Sequence, residues 1–275
     1  MAKLTFPKIG RMLVLLTASV ASMLPIYWTL VNSFRSNTQI MNSFRLFPEN
    51  LDFKNYASIF AVSSLPTYFL NSCITTGSAM ILVGVLALTC SFALSTYKFK
   101  FAKLIHLIIV AGIFIPSTTT MGMTYKLLQT LNLLGSRPGI ILLYTSGRMA
   151  LSIFLLTAYM KSIPDAIKEA ALMDGCGPWR MLVSIVAPLS RNGLLVVMIL
   201  TFIGVWNDYI WSMILLPSSS KRTLTVGLAF FRGEFFTDNG QLSACVIVGL
   251  VPILIGYLFL QDKIINGIAS SAVKG

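Results

Sequence analysis

Six stretches of this chain, residues 12–31, 68–96, 104–123, 139–160, 193–216 and 242–260, are each apolar and about as long as a bilayer is thick. Arg148 and Asp208 are the only Asp, Glu, Lys or Arg residues inside them. Hydrocarbon leaves no water for backbone N–H and C=O groups, so such stretches must satisfy their own hydrogen bonds as helices. At ~20 residues per span plus loops, the 275 residues have room for six or seven helices. The expected fold is an all-α polytopic membrane protein of about six transmembrane helices. Composition agrees: 56% of residues are hydrophobic and 11% charged. That excludes a soluble globular enzyme, a disordered chain and a disulfide scaffold.

Lys3, Lys8 and Arg11 precede the first stretch as in a signal peptide. The apolar run continues through Pro25, Tyr27 and Trp28, past the place where cleavage would fall. An uncleaved first helix is expected, with a signal peptide as the alternative. With Arg148 inside a span, the 21 Lys and Arg divide twelve to eight between the two sides. The N-terminal cluster and Lys98, Lys100 and Lys103 lie on the richer side, which places both termini in the cytoplasm. Residues 161–191 are then a cytoplasmic loop and 263–275 a cytoplasmic tail, while 34–66 and 217–241 lie outside. Four scattered cysteines and one histidine, His106, offer no metal-ligand spacing. Basic residues spread over many loops do not form a nucleic-acid surface.

Segment 161–191 carries the most information. Ser162 followed by Asp165 reads as a capping box, with Pro164 suited to the first helical turn. Ile163, Ala166, Ile167, Ala170 and Ala171 recur on one face of a short helix, and Gly175 is placed to end it. Gly177-Pro178 opens a second helix, with Trp179, Leu182, Val183 and Val186 on one face and Pro188 as its stop. The small side chains of Ala170 and Ala171 would let a partner approach closely, and Glu169 offers it a charge. An interfacial amphipathic hairpin that merely joins two spans is the plainer alternative.

Glu169-Ala170-Ala171, three residues, Gly175, nine residues and Ile185-x-Ala187-Pro188 follow the pattern EAA-x3-G-x9-I-x-L-P. Ala187 stands where leucine is usual. The chain thus resembles the membrane permeases of ATP-binding-cassette (ABC) importers. Pro25-Ile26-Tyr27-Trp28, Ser33-Phe34, Asn55-Tyr56, Asn71-Ser72 and Trp206-Asn207-Asp208 resemble the carbohydrate-uptake branch. The C-terminus from Gly267 to Gly275 resembles the tail of the shorter maltose-type permease, departing at Ile268, Ser270 and Ser271.

The resemblance implies a type I ABC importer fold and a single permease domain over 1–275. It implies a coupling loop at 161–191 in which Glu169, Ala170, Ala171, Asp174 and Gly175 dock on an ATPase dimer, with Lys274 and Gly275 as tail contacts. The chain has no GxxxxGK[ST] loop, so it is not expected to be an enzyme. ATP and magnesium belong to the ATPase, and no cofactor is expected here. The other implied partners are a second permease, an extracytoplasmic solute-binding protein and a carbohydrate. The long 217–241 loop, with Phe230, Phe231, Arg232 and Phe235, would probe the binding protein; an interfacial aromatic anchor is the alternative.

Polar and aromatic residues of the spans are the candidates for the sugar path: Ser117, Thr118, Thr119, Tyr144, Trp206 and Asn207. The same types also make interhelix hydrogen bonds. Arg148 and Asp208 are expected to pair, since intramembrane charges seldom stand alone. Competing functions are an importer of a phosphorylated polyol such as glycerol phosphate, an ion-coupled secondary transporter, and a membrane anchor without transport.

Overall fold

The computed structural model describes residues 8–48, 50–61, 64–234 and 238–272, with backbone alone at 8–9, 230–234 and 259–272. Among the described residues the chain is helical. Its helices are α1 (Lys8–Ser33), α2 (Asn37–Asn42), α3 (Lys54–Ala61), α4 (Leu65–Thr96), α5 (Ala102–Ala111), α6 (Met121–Thr130), α7 (Arg137–Lys161) and α8 (Asp165–Met173). They continue with α9 (Pro178–Met181), α10 (Ala187–Leu189), α11 (Arg191–Trp206), α12 (Ile210–Leu215), α13 (Leu224–Glu234) and α14 (Asn239–Ala272). Four of these, α1, α4, α7 and α14, are long and apolar enough to cross a membrane unbroken.

Two of the six expected spans are interrupted. The third ends early: α5 runs into a 3₁₀ turn, Gly112–Phe114, and Ile115 is extended at φ −87°, ψ 112°. Pro116 explains this, because its ring pushes the preceding residue out of the helical region. Helix resumes only at Met121. The fifth breaks after Trp206, and Asn207, Asp208 and Tyr209 separate α11 from α12. The last helix is longer than expected: α14 has 34 residues and carries helical backbone through most of the segment read as a tail.

The described residues fall into two compact units. One comprises Met1–Pro66 and Gly227–Pro252. Its centre is polar. Arg35, only 3% exposed, gives its guanidinium to the carbonyls of Gln39 at 2.6 Å and Ser43 at 2.7 Å. The Asn55 amide donates to the carbonyls of Ser33 and Arg35, both at 2.9 Å. The Tyr56 hydroxyl donates to Ser33 Oγ at 2.8 Å. Ser33, Asn55 and Tyr56, separate motifs in the sequence, thus form one knot around the turn after α1. Gly240 belongs to it because a side chain there would strike the Arg35 carbonyl and the Asn55 amide.

The other unit, Thr67–Val226 with Ile253–Gly275, is built along α7. Near the start of α7, Ile140 and Tyr144 pack with Leu128, Val205, Trp211 and Leu215. Ile153 and Leu156 meet Val83 and Ala87 of α4 and Val197 of α11. At its far end Met160 joins Phe92, Ala171, Met181, Leu182 and Val186.

Replacing Gly240 by alanine should cost ~1–3 kcal/mol through overpacking. Gly256→Ala, whose new methyl would meet only Phe202 at 3.9 Å, should be nearly silent. Thermal unfolding of the two variants in detergent checks the contrast; equal midpoints would refute the account of the knot.

Candidate functional site

Two features of the α7 unit carry chemistry: a surface at one end and a cavity within it. The surface is the segment between α7 and α11. Its first helix, α8, begins without the expected capping box. Ser162 instead ends α7, its Oγ donating back to the Tyr159 carbonyl at 2.8 Å, and Pro164 is the N-cap with no side-chain bond. The C-terminus follows expectation. Gly175 has φ +72°, its N–H reaches the Leu172 carbonyl at 3.0 Å, and Cys176 N–H reaches Ala171 O at 2.9 Å. This is a Schellman closure, which places a glycine in the left-handed region.

The second helix departs from regular α geometry. Leu182–Val186 is a π turn, in which Ala187 N–H bonds Leu182 O. Pro188 supplies the reason: it has no N–H for the Ser184 carbonyl and its ring would crowd that turn. The wider turn shifts the buried face to Met181, Leu182 and Val186. Trp179 and Val183, expected on the same face, are exposed instead. The chain then bends by 79° at Ser190 into α11.

Of the residues read as ATPase-coupling, Glu169, Ala170, Asp174 and Gly175 are exposed. Ala171 is not: it is buried against Met160 and Met181 within the chain's own core. Its small size serves the packing of α8 on α7, so close approach by a partner rests on Ala170. Leu172, Met173 and Trp179 add a solvent-facing apolar patch, Met173 being 88% exposed. Lys168, which sequence reasoning passed over, is buried and pairs with Asp165 at 3.1 Å. The i,i+3 spacing of the two was its only signal. Lys274 and Gly275 lie outside the described residues. So do Phe235 and the side chains of Phe230, Phe231 and Arg232, whose backbone belongs to α13.

The cavity has a volume of about 490 Å³ and is lined from the Gly112–Thr124 segment, α7 and the start of α12. The α5–α6 interruption supplies Ser117, Thr118 and Thr120; α7 supplies Tyr144, Ser146 and Arg148; the α11–α12 interruption supplies Asp208. Both helix breaks therefore open onto it. Ser117, Thr118 and Tyr144 are brought together as expected. Trp206 and Asn207 are not among its lining. Trp206 is buried between Phe69 and Phe202, with ring centroids 5.7 and 5.6 Å away. Asn207 turns its amide back to the Ile203 carbonyl at 3.0 Å. Thr119 is also outside the lining.

Asp208 accepts two bonds at one oxygen, and a third bond joins the side chains of its two donor residues. The Tyr144 hydroxyl donates to Asp208 Oδ1 at 2.8 Å, and Ser212 N–H donates to the same oxygen at 3.1 Å. Tyr144 and Ser212 hydroxyls are 2.8 Å apart. The tyrosine proton is committed to Asp208, so Ser212 must donate to Tyr144. This closed triangle ties α7 to the break and satisfies the Ser212 N–H in the first turn of α12. The expected Arg148–Asp208 ion pair is not formed. Both side chains line the cavity, but no ion pair joins them among the described residues. The Arg148 guanidinium instead lies on the Cα of Gly204, where any side chain would collide with it.

The family model for the inner-membrane component of binding-protein-dependent transport systems matches residues 1–262. The chain belongs to this family. It is 33% identical over 258 residues to the diacetylchitobiose uptake permease of Streptomyces coelicolor, covering 93% of this chain and 85% of that one. It is 28% identical to the melibiose/raffinose/stachyose import permease of Bacillus subtilis, covering 96% and 97% of the two chains. Its structure superposes with a TM-score of 0.81, at 22% identity and over 94% of this chain and 98% of the other, on a bacterial ABC transporter that imports the acidic polysaccharide alginate. The permease therefore has the type I ABC importer fold.

If Gly204 is the seat of Arg148, Gly204→Ala should destabilise the permease by ~1–3 kcal/mol. The loss should shrink when Arg148→Ala removes the guanidinium, with a coupling on the order of 1 kcal/mol. A double-mutant cycle on thermal unfolding reads it; additive effects would place the arginine elsewhere.

Proposed function

We propose that this permease is one half of the membrane pathway of an ATP-driven carbohydrate importer. It works beside a second, related permease. An extracytoplasmic binding protein delivers the sugar, and an ATPase pair on the cytoplasmic side drives the cycle. Magnesium and ATP sit on the ATPase subunits. The reading takes both termini as cytoplasmic and 217–241 as the outer loop that meets the binding protein through Phe230, Phe231, Arg232 and Phe235. The C-terminal Lys274 and Gly275 add contacts to the ATPase.

The observation that carries the proposal is the joining of the two features by α7. Met160, at one end, packs directly against the α8 platform. Tyr144, four turns away, holds the break at the cavity. A push on Glu169, Ala170 and Asp174 is delivered to a rigid helix, not to a loose loop. Closure of the ATPases would then move α7 and reshape the cavity, giving alternating access. Sugar names among the relatives, and a cavity walled by hydroxyls with a carboxylate acceptor and a guanidinium donor, support a carbohydrate as the solute. Arg148, whose donors take no protein acceptor among the described residues, is free to bond sugar oxygens. Ser117, Thr118 and Tyr144 complete the polar wall.

The test is affinity purification from native membranes in mild detergent, with the tag away from the C-terminus. Recovery of an ATPase pair and a second permease is expected. Glu169→Lys should lose the ATPase or drop solute-stimulated hydrolysis by about 10-fold or more, a loss of a buried charge contact. Arg148→Gln should leave assembly intact and lower uptake. Recovery of the chain alone, transporting with no ATP requirement, would overturn the proposal in favour of ion coupling.

A further inference from the structure

Between α4 and α5 the chain reads Tyr97-Lys98-Phe99-Lys100-Phe101-Ala102-Lys103. Lysine alternates with aromatic residues, and Tyr97, Phe99 and Phe101 are 42%, 43% and 56% exposed. The turn joins two apolar helices, so it sits where hydrocarbon meets water. Aromatic rings are enriched at that level, and lysine stems reach from it to the headgroups.

Packing brings further cations to the same end of this unit. The Tyr97 ring meets Phe92, centroids 5.6 Å apart, and Phe92 packs with Met160 beside Lys161. Gly193 lies against Tyr159, so the end of α7 at Lys161 and the start of α11 at Arg191 are neighbouring helix ends. Lys98, Lys100, Lys103, Lys161 and Arg191 are all exposed. None makes a hydrogen bond or ion pair among the described residues; Lys100 only overlies the Phe101 ring at 5.6 Å.

Among the described residues no acidic side chain pairs with them. The chain has no acidic residue between Asp52 and Asp165. Asp165 is engaged by Lys168. Glu169 and Asp174 belong to the exposed face of α8 already assigned to the ATPase. Five like charges at a bilayer surface, with aromatic anchors between them, call for an anion held at that same depth.

We infer that this end of the permease binds an anionic phospholipid. The lysines of the α4–α5 turn hold the headgroup phosphate, and Tyr97, Phe99 and Phe101 lie among the upper acyl carbons. The site does not depend on which solute is carried.

The full-length permease in mild detergent is titrated with phosphatidylglycerol and with phosphatidylcholine of the same chains, and bound lipid is counted by native mass spectrometry. Phosphatidylglycerol should bind about 10-fold more tightly or better, because each lysine near the surface adds to the attraction for an anionic headgroup. The preference should vanish in K98Q/K100Q/K103Q and survive in K54Q/K126Q, which removes charge elsewhere. On the wild-type chain, which needs no variant to fold, it should fade as salt rises. Equal binding of the two lipids, an unchanged preference in the triple variant, or displacement by millimolar glycerol 3-phosphate would overturn the lipid site.

Discussion

Helix α7 is the strut against which the second unit is assembled. Its apolar face meets α4, α5 and α11 within the bilayer and the α8–α10 platform at its end. Among its polar contributions, the Tyr144 hydroxyl reaches Asp208. In hydrocarbon a helix can stop only where something else takes over its backbone groups. At the α11–α12 interruption that substitute is Asp208, steadied by Tyr144 and Ser212. Without α7 in place, Asp208 would lose the Tyr144 hydroxyl and keep the Ser212 N–H, leaving a carboxylate short of donors at membrane depth.

The cavity follows from that constraint. Two helices that would otherwise fill the space are interrupted on either side of α7, one by Pro116 and the other by the Asp208 triangle. Irregular backbone at this depth is tolerated only around protein or a polar space. A family of permeases needs such a space for its solute, and here hydroxyls, a guanidinium and a carboxylate wall it. The same strut reaches the 161–191 segment, so that segment and the cavity share one helix.

The first unit is organised by polar bonds instead. The Arg35 guanidinium is buried among carbonyls, and Asn55, Tyr56 and Gly240 close around the same turn. Charge-assisted bonds to carbonyls are directional and hold a turn more firmly than apolar contact does. This explains why short motifs, apparently separate along the chain, belong together.

Apolar length determined the class of fold and four unbroken spans, because burial of backbone in lipid allows no other solution. Spacing within the 161–191 segment determined the short helix and its closing glycine, since only Gly175 suits a left-handed closure without strain. Periodicity failed where side chains compete with the helix: Ile115-Pro116, Asn207-Asp208 and the π turn before Pro188. It also misplaced Trp179, Val183 and Ala171, because one extra residue in a turn, or the choice of packing partner, changes which face is inside. Arg148 and Asp208 could be read from their depth as side chains that need partners, yet which neighbours they take was decided by tertiary packing. Gly204 admits the guanidinium, and Tyr144 reaches the carboxylate from 64 residues away.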